Sequence, residues 1–176
     1  MSVLSGEEVS RHCSSFKKVN PNGVDLAPKE VRSIPGGSTI YLHGEKRGYL
    51  KASKGRVKKV VIDDAKLPVE PDAEGFYRFA KGRLYELRFP RVSVPADCTG
   101  FAFPRSTVNR LGIIKLESAV FDSGYAGEFT QTIFTPLNAR VHKDEALVQL
   151  VFIRNEAPAQ MLYNGRYQNE ASTGRA

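Results

Sequence analysis

An aspartate directly after an apolar strand pattern is the first residue whose position suggests chemistry. Asp122 follows Val120 and Phe121 in VFDSGYAGEF, and Ser123-Gly124 interrupts the strand pattern. A carboxylate held at a strand end can act as a general base towards water, or help to hold a divalent cation on phosphates. Tyr125 offers a flat face for a sugar or a base. The alternative is a turn aspartate that binds its own backbone, and spacing alone favours that alternative.

The segment FPRSTVNRLGI is the second candidate, because its pattern predicts one short helix between strands. We expect Ser106 to cap this helix and Gly112 to end it. A helix start presents unpaired N–H groups and a partial positive charge, which suit a phosphate. Arg105 and Arg110 add two cations, although a spacing of five residues places them on different helical faces. Spacing alone leaves phosphate binding and ordinary surface arginines equally open.

The N-terminal segment, residues 1–19, predicts a helix that precedes these candidates. Ser5 and Glu8 match a capping box, and the sequence after them has helical periodicity. Its apolar face consists of Val9, Cys13 and Phe16. The helix should stop before Asn20, because the Asn-Pro-Asn-Gly sequence that begins there favours a turn.

Most of the remaining chain predicts short strands, rich in Val, Ile, Phe and Tyr and separated by Gly, Pro or Asp. The predicted strands are Thr39–His43, Val57–Ile62, Gly75–Phe79, Leu84–Phe89, Gly100–Phe103, Ile113–Phe121, Glu128–Phe134 and Ala146–Arg154. Their number and the scarcity of helices predict an all-β sandwich or barrel-like fold. We expect one domain over residues 1–176, with a flexible C-terminal arm from 164 to 176.

The bulk composition is that of an ordinary globular protein. The chain has 176 residues, of which 41% are hydrophobic, enough for one core. No apolar run approaches the roughly 18–20 residues that cross a bilayer, and the first residues lack a signal-peptide pattern. Cys13 and Cys98 form no CxxC pair, so two buried thiols are expected, with a single disulfide left open. We expect a cytoplasmic protein without a membrane partner.

The net charge of +7 suits an anionic partner such as a polyphosphate, a nucleotide or a nucleic acid. Much of this charge lies in the segment 46–59. Its basic residues are Lys46, Arg47, Lys51, Lys54, Arg56, Lys58 and Lys59. A solvated hairpin is the favoured interpretation, and a nucleic-acid-binding patch is the alternative. The segment contains only one tyrosine, which is a small number of aromatic residues for a surface that stacks bases.

Five segments, taken in order, resemble the motifs of the superfamily of dUTP pyrophosphatases and dCTP deaminases, in particular its archaeal-type dUTPase branch. They are NGVDL (22–26), FPRSTVNRLGI (103–113), AVFDSGYAGEF (119–129), ALVQLVF (146–152) and YNGRYQNE (163–170). Each is weak alone, but five in the family's order form a strong signal. The resemblance implies a distorted, jelly-roll-like β-barrel of the β-clip type, with an N-terminal helix and one short helix. It also implies a homotrimer whose subunits share active sites.

The same resemblance implies a role for each site residue. Asp122 orients or deprotonates the attacking water. The phosphate-binding residues are Arg105, Ser106, Thr107, Arg110, Gln149 and Arg166. The nucleoside-binding residues are Tyr125, Gly127, Phe129, Thr130, Gln131 and Tyr163. Mg²⁺ is bound through the triphosphate and water without direct protein ligands, and Asp25 is a candidate for contacting those waters.

One position separates the two activities of this superfamily. The resemblance implies that a deaminase carries a glutamate ten residues after its motif-three aspartate, and this chain has Thr132 there. Threonine cannot shuttle a proton at neutral pH, and Glu128, the nearest acid, is expected to point elsewhere. We therefore predict hydrolysis of dUTP to dUMP and pyrophosphate, which limits uracil in DNA. A dCTP deaminase, mono- or bifunctional, is the alternative, and a nucleic-acid-binding or regulatory protein of this fold is less favoured.

Overall fold

The structure, a computed structural model, describes residues 1–36, 39–43, 46–53, 56–60, 66–116 and 120–171. Strands dominate these residues, so the predicted all-β fold is confirmed. The strands are β1 (Ser2–Val3), β2 (Lys18–Asn20), β3 (Gly23–Leu26), β4 (Glu30–Ser33), β5 (Thr39–His43), β6 (Lys46–Ser53), β7 (Arg56–Val60), β8 (Leu67–Pro68), β9 (Phe76–Phe79), β10 (Arg83–Ser93), β11 (Cys98–Pro104), β12 (Ile114–Leu116), β13 (Ala126–Thr135), β14 (Ala139–His142) and β15 (Val148–Arg154). The helices in the described ranges are α1 (Gly6–Ser10) and α2 (Ser106–Arg110).

Two five-stranded antiparallel sheets enclose the core. In the first sheet β15 is central and pairs with β1, β3 and β11, while β2 pairs with β3. The second sheet has the order β12-β13-β10-β4-β8. Along β13 buried and partly exposed residues alternate strictly, as expected for a strand with one face against a core. Leu150 and Phe152 of the first sheet join Leu87 and Phe129 of the second in one apolar cluster. Burying each such side chain contributes about 1.5–3 kcal/mol.

The N-terminal helix begins where the sequence predicts and ends much earlier. The capping box is confirmed: Ser5 Oγ accepts from the Glu8 N–H at 3.3 Å, and Glu8 Oε2 accepts from the Ser5 N–H at 3.2 Å. The helix stops at Ser10, so a helix over most of residues 1–19 is wrong. Beyond it the backbone pairs with β10, since the Ser14 N–H donates to a β10 carbonyl at 2.9 Å. Sheet hydrogen bonds replace helical ones, and Phe16 is left 43% exposed.

The predicted strands correspond to strands of the structure, with one that is shorter than expected. The predicted strand Ile113–Phe121 is regular only over β12, and residues 117–119 lie outside the described ranges. The sequence missed several short strands, among them β2, β3, β4 and β14, because each has only three or four residues. In the basic segment, β6 and β7 form an antiparallel hairpin. Lys54 and the positions of the basic side chains lie outside what the structure describes.

Helix α2 starts one residue earlier than its capping pattern suggests. Arg105 is the N-cap residue and makes no side-chain cap hydrogen bond, so the prediction of Ser106 as the cap is wrong. Ser106 is instead the first helical residue. Gly112 ends the segment with a φ of +81°, a conformation that favours glycine, as predicted.

Both cysteines are free thiols. Burial raises the pKa of Cys13 to about 12 and that of Cys98 to about 11. At neutral pH both thiols therefore stay protonated and unreactive. In this respect they behave like small apolar side chains. In the described ranges, no helix is long and apolar enough to cross a membrane.

Candidate active site

The turn that carries Asp122 is held from both sides. The Tyr125 N–H donates to the Asp122 carbonyl at 3.0 Å, and Gly124 adopts a φ of +81° within the turn. The buried Ser123 hydroxyl donates to the Cys98 carbonyl at 2.7 Å. On the other side, the Tyr163 N–H donates to the Ser123 carbonyl at 2.8 Å. Main-chain bonds thus fix the place from which the Asp122 side chain projects.

The Asp122 carboxylate is exposed and lines a cavity of about 420 Å³. Among the described residues, no side chain or backbone N–H forms a hydrogen bond with this carboxylate. A turn aspartate that binds its own backbone would show such a bond. The structure therefore disfavours the turn interpretation and leaves the carboxylate available to water or to a ligand.

Aromatic rings form much of the cavity wall. The lining residues are Val120, Phe121, Asp122, Tyr125, Phe129, Thr130, Tyr163, Tyr167 and Glu170. Tyr125 stacks on Phe121 with ring centroids 5.7 Å apart and meets Tyr163 edge-on at 5.5 Å. Its hydroxyl donates to the Glu128 carbonyl at 3.0 Å. Burial raises the pKa of Tyr125 far above its ordinary value, so this residue stays a neutral phenol.

Residues 163–171, called here the C-terminal segment, lie along the free edge of β13 beside the cavity. The Asn169 N–H donates to the Ala126 carbonyl at 2.7 Å, and the Glu128 N–H donates to the Glu170 carbonyl at 2.8 Å. These bonds continue the ladder of the second sheet across one further stretch of chain. The C-terminal segment thereby forms one wall of the cavity.

This docking differs from the flexible arm predicted over residues 164–176. The segment is bound as far as the structure describes it, and residues 172–176 lie outside the described ranges. Gly127 permits the close approach, because a Cβ there would meet the Glu170 nitrogen at 3.1 Å and the Tyr167 oxygen at 3.2 Å. Composition indicated a mobile arm, but the unpaired edge of β13 offers it hydrogen-bond partners.

Thr130 is the one position on this edge of β13 that the described neighbours leave open. Even-numbered residues of β13 turn their N–H and C=O groups away from β10. Both groups of Ala126 and the N–H of Glu128 bind the C-terminal segment, and the Glu128 C=O accepts from the Tyr125 hydroxyl. Thr132 and Phe134 pair with β12. In the described part of the chain, no backbone group pairs with Thr130 on this side. One N–H donor and one C=O acceptor therefore stand side by side at the cavity.

The residues predicted to bind phosphate gather at a different place, where β11 runs into α2. Arg105 Nε lies 2.9 Å from the buried Asp25 carboxylate, and Arg105 Nη1 lies 2.7 Å from Glu145. Asp25 also accepts from Asn20 at 2.7 Å. Gln149 of β15 lies opposite Asp25 in register. Three of the sequence motifs thus meet here, and Asp25 holds the Arg105 guanidinium in place.

Within one chain, the two groups of predicted residues stay apart. None of the predicted phosphate-binding residues lines the Asp122 cavity. Arg166 is exposed and lies between Tyr163 and Tyr167, which do line it. Gln131 does not reach the cavity either: its side chain is 1% exposed and accepts from Lys115 Nζ at 2.8 Å.

Thr132 stands on β13 opposite Glu86 of β10 and does not line the cavity. One carboxylate at the cavity was not predicted from the sequence. Glu170 lines the cavity and is paired with Arg88, a residue of β10 that is nearly buried. The charged residue within the apolar pattern LYELRF was the available signal for Arg88, because a buried charge in a strand needs a partner.

Comparison with known proteins decides the family. The family model described as dCTP deaminase-like matches residues 3–155. The chain belongs to the dCTP deaminase-like family. This assignment agrees with the resemblance drawn from the five motifs, four of which lie wholly within the matched range.

Relatives of this family member carry both names expected of the superfamily. A probable deoxyuridine 5′-triphosphate nucleotidohydrolase of Methanosarcina mazei is 30% identical over 156 residues, covering 87% of this chain and 82% of the relative. A protein of the same name from Aeropyrum pernix is 32% identical, with 86% of each covered. A dUMP-forming dCTP deaminase of Persephonella marina is 30% identical, over 67% of this chain and 62% of the relative.

A solved structure supports the fold alone. The 2′-deoxycytidine 5′-triphosphate deaminase of Agrobacterium tumefaciens matches with a TM-score of 0.59 and 18% sequence identity. The match covers 86% of this chain, which spans 46% of the length of that protein. The β-rich architecture of this family member is therefore shared with a solved member of the superfamily.

Proposed function

We propose that this protein hydrolyses dUTP to dUMP and pyrophosphate. The observation that carries the proposal is the Asp122 carboxylate, which is fixed by its turn, faces the cavity and has no hydrogen-bond partner among the described residues. The names of the Methanosarcina mazei and Aeropyrum pernix relatives support the same reaction. Thr132 supports hydrolysis over deamination, because its hydroxyl cannot act as the proton shuttle that removal of an amine requires.

In this proposal Asp122 orients a water and accepts its proton as the water attacks the α-phosphorus. The bond from that phosphorus to the bridging oxygen breaks, and pyrophosphate leaves with the bonding electrons. Holding water and phosphate in line provides most of the acceleration, since phosphoryl transfer depends on position and charge stabilisation. A carboxylate without a competing protein partner suits this role.

The free edge at Thr130 offers a way to select uracil. Its N–H and C=O lie side by side at the cavity, and a uracil ring presents a complementary acceptor and donor in its ring carbonyl and N3–H. Tyr125 forms the aromatic wall on which the deoxyribose would pack. A cavity of about 420 Å³ is within the range of about 300–1,000 Å³ usual for small-molecule sites.

In this proposal a Mg²⁺ ion is bound mainly by the substrate. Among the described residues no group of three or more His, Cys, Asp or Glu side chains is arranged to hold a metal. Mg²⁺ commonly keeps several waters and binds through substrate phosphates and one or two carboxylates. When bound, the ion would offset the negative charge that develops on the leaving pyrophosphate. Asp25 is tied to Arg105 and Asn20, so its contact with waters of the ion stays a prediction.

A homotrimer with shared sites would unite the two groups of residues that one chain keeps apart. The phosphate-binding group around Arg105 would then face the Asp122 cavity of a neighbouring copy. On β11, Phe101 and Phe103 stack with centroids 5.9 Å apart, and Phe103 is 47% exposed. A partly exposed aromatic pair next to Arg105 is a surface that a second copy would cover.

Incubation with dUTP, dCTP, dTTP and UTP, with products resolved by chromatography, tests the proposed reaction. We expect pyrophosphate and dUMP from dUTP, at a rate far above that for the other three nucleotides. Equal rates with all four would overturn the proposal. Conversion of dCTP to dUTP or dUMP would instead assign the deaminase activity of the superfamily.

A further inference from the structure

A β-bulge in β10 places two arginines on one face of the second sheet. Pro90 and Arg91 both lie opposite Glu128, so β10 has one residue more than β13 at this point. In a regular strand, residues three apart point to opposite faces. The extra residue of the bulge reverses this relation, so Arg88 and Arg91 project from the same face. Proline is tolerated at this point because a bulge needs fewer ladder hydrogen bonds.

Both arginines reach consecutive residues of the C-terminal segment. Arg91 Nη2 donates to Asn169 Oδ1 at 2.9 Å, and Arg88 Nη1 lies 3.3 Å from Glu170 Oε1. Asn169 has a φ of +59°, a left-handed conformation that asparagine tolerates better than most residues. The main chain of the same two residues is bonded to β13, so side chains and backbone hold the segment at one place.

The contact between Arg88 and Glu170 is the closest of three ion pairs made by a nearly buried guanidinium. The Arg88 side chain is 7% exposed, and the Glu170 side chain is 27% exposed. Arg88 Nε lies 3.5 Å from Glu30, and Arg88 Nη1 lies 3.9 Å from Glu128. The nearest counter-charge of this buried cation is therefore supplied by the C-terminal segment.

The other two carboxylates have cations of their own. Glu128 is paired with Lys29, and Glu30 accepts from Arg32 at 2.6 Å. Even so, one carboxylate oxygen of each, together with Arg88 Nε, is buried without a hydrogen-bond partner. A buried charge that loses a partner is strongly unfavourable. Undocking of Glu170 would remove the closest counter-charge from Arg88 and is opposed for that reason.

We propose that Arg88 and Arg91 form a clamp that holds the C-terminal segment against the nucleoside cavity before any nucleotide binds. Arg88 is a positioning residue that acts through Glu170, and Glu170 lines the cavity. The identity of the nucleotide in this cavity rests on the proposed function, whereas the clamp itself does not. Apparent affinity falls in proportion to the population of the competent state, so a segment that is already closed strengthens nucleotide binding.

Hydrogen–deuterium exchange without nucleotide tests the clamp directly. The Ala126 and Glu128 amides are bonded to the C-terminal segment. In Glu170→Ala we expect roughly tenfold faster exchange in peptides spanning these two residues, and roughly tenfold faster tryptic cleavage after Arg166. Glu170→Gln should fall between this variant and the wild type, because the amide oxygen keeps a neutral hydrogen bond to Arg88. Glu156→Ala, which removes an exposed acid outside the segment, serves as the matched control.

Arg88→Lys gives the same test from the other side, and it retains the positive charge in case loss of this buried cation prevents folding. We expect exchange and cleavage rates between those of the wild type and Glu170→Ala, because the ammonium keeps the charge but not the guanidinium geometry. Exchange and cleavage rates within about twofold of wild type in both variants would overturn the clamp.

Steady-state kinetics with dUTP then separate the clamp from the proposed function. Glu170→Ala should raise KM roughly tenfold and leave kcat within about twofold, because the bound enzyme still closes. If the wild type hydrolyses no dUTP but exchange responds as expected, the proposed function fails and the clamp stands. If dUTP is hydrolysed and exchange does not respond, the clamp alone fails.

Discussion

Asp122 shows how much depends on hydrogen bonds that spacing cannot reveal. By sequence it had the pattern of a turn aspartate, and it does start a turn through its backbone carbonyl. Its carboxylate makes no such bond among the described residues and lines the cavity instead. The backbone therefore satisfies the turn and leaves the side chain for chemistry.

Asp122→Asn is the substitution that tests this division. The amide has nearly the shape of the carboxylate but cannot accept a proton, so we expect kcat for dUTP to fall by roughly 10²–10⁴. The affinity for a non-hydrolysable dUTP analogue, measured by calorimetry, should stay within about threefold of wild type. Ser123→Ala, a neighbour in the same turn, controls for disturbance of the backbone. A variant that turns over at the wild-type rate would remove Asp122 from the reaction.

At the scale of elements, the sequence predicts best where one local rule decides. The capping box predicted the start of α1, and a short stretch containing Phe129, Ile133 and Phe134 predicted β13. The end of α1 was not predictable, since it depends on backbone bonds to β10, far along the chain. The bulge in β10 was equally hidden, because its effect on Arg88 and Arg91 appears only when β10 is paired with β13.

The residues of the site show the same contrast between local patterns, which the sequence reveals, and long-range contacts, which it does not. The motifs supplied Asp122, Tyr125, Thr130 and Tyr163, all of which line the cavity. Gln131 was expected beside them, but alternation along β13 turns its side chain into the interior. Charges in a strand and at the end of the chain do not reveal their partners, so sequence alone gave no sign that Arg88 and Glu170 form a pair.

Ser5→Ala tests the capping box at the start of α1. The substitution removes the side-chain oxygen that accepts from the Glu8 N–H and leaves that donor without its cap. We expect the free energy of unfolding to fall by about 1 kcal/mol, measured by urea denaturation with an unchanged m-value. Ser10→Ala, which alters a serine at the other end of the same helix, should change stability less. A loss no larger than in this control would show that the cap contributes little.

Gly127→Ala tests the contact between β13 and the C-terminal segment. A methyl group there would lie 3.0 Å from the Tyr125 hydroxyl and 3.1 Å from the Glu170 nitrogen, which is tighter than ordinary contact. We expect the segment to be displaced, with tryptic cleavage after Arg166 roughly fivefold faster and thermal stability of the core nearly unchanged. Gly82→Ala is a control at a glycine with open space around it, although its φ of +71° adds strain there. Unchanged cleavage in Gly127→Ala would mean that the C-terminal segment accommodates the methyl group and is not displaced.

At the scale of the whole molecule, the separation of Arg105 from the Asp122 cavity is the main clue to assembly. The Arg105 group is highly organised, with Asp25, Glu145 and the Ala146 carbonyl all in contact with one guanidinium. Such organisation is more than an isolated surface arginine requires. It is explained if the group serves the cavity of a second copy, as in a cyclic homotrimer.

Mixing of inactive subunits measures this sharing. Asp122→Asn and Arg110→Ala should each be nearly inactive alone, and Arg110 is exposed in the last turn of α2, so its loss should not disturb folding. If each site takes Asp122 from one chain and Arg110 from its neighbour, random trimers of the two variants recover about a quarter of wild-type activity per chain.

Co-expression of the double variant with wild type is the matched control for this mixing. With shared sites this mixture also retains about a quarter of the activity, because a site works only when both chains that form it are wild type. With sites confined to single chains, the two mixtures instead give zero and about a half. Sedimentation of both mixtures as trimers must accompany the assay, since only mixed trimers bring the two variants together. A result of zero and about a half would place the whole active site within one chain and remove the reason for a shared trimer.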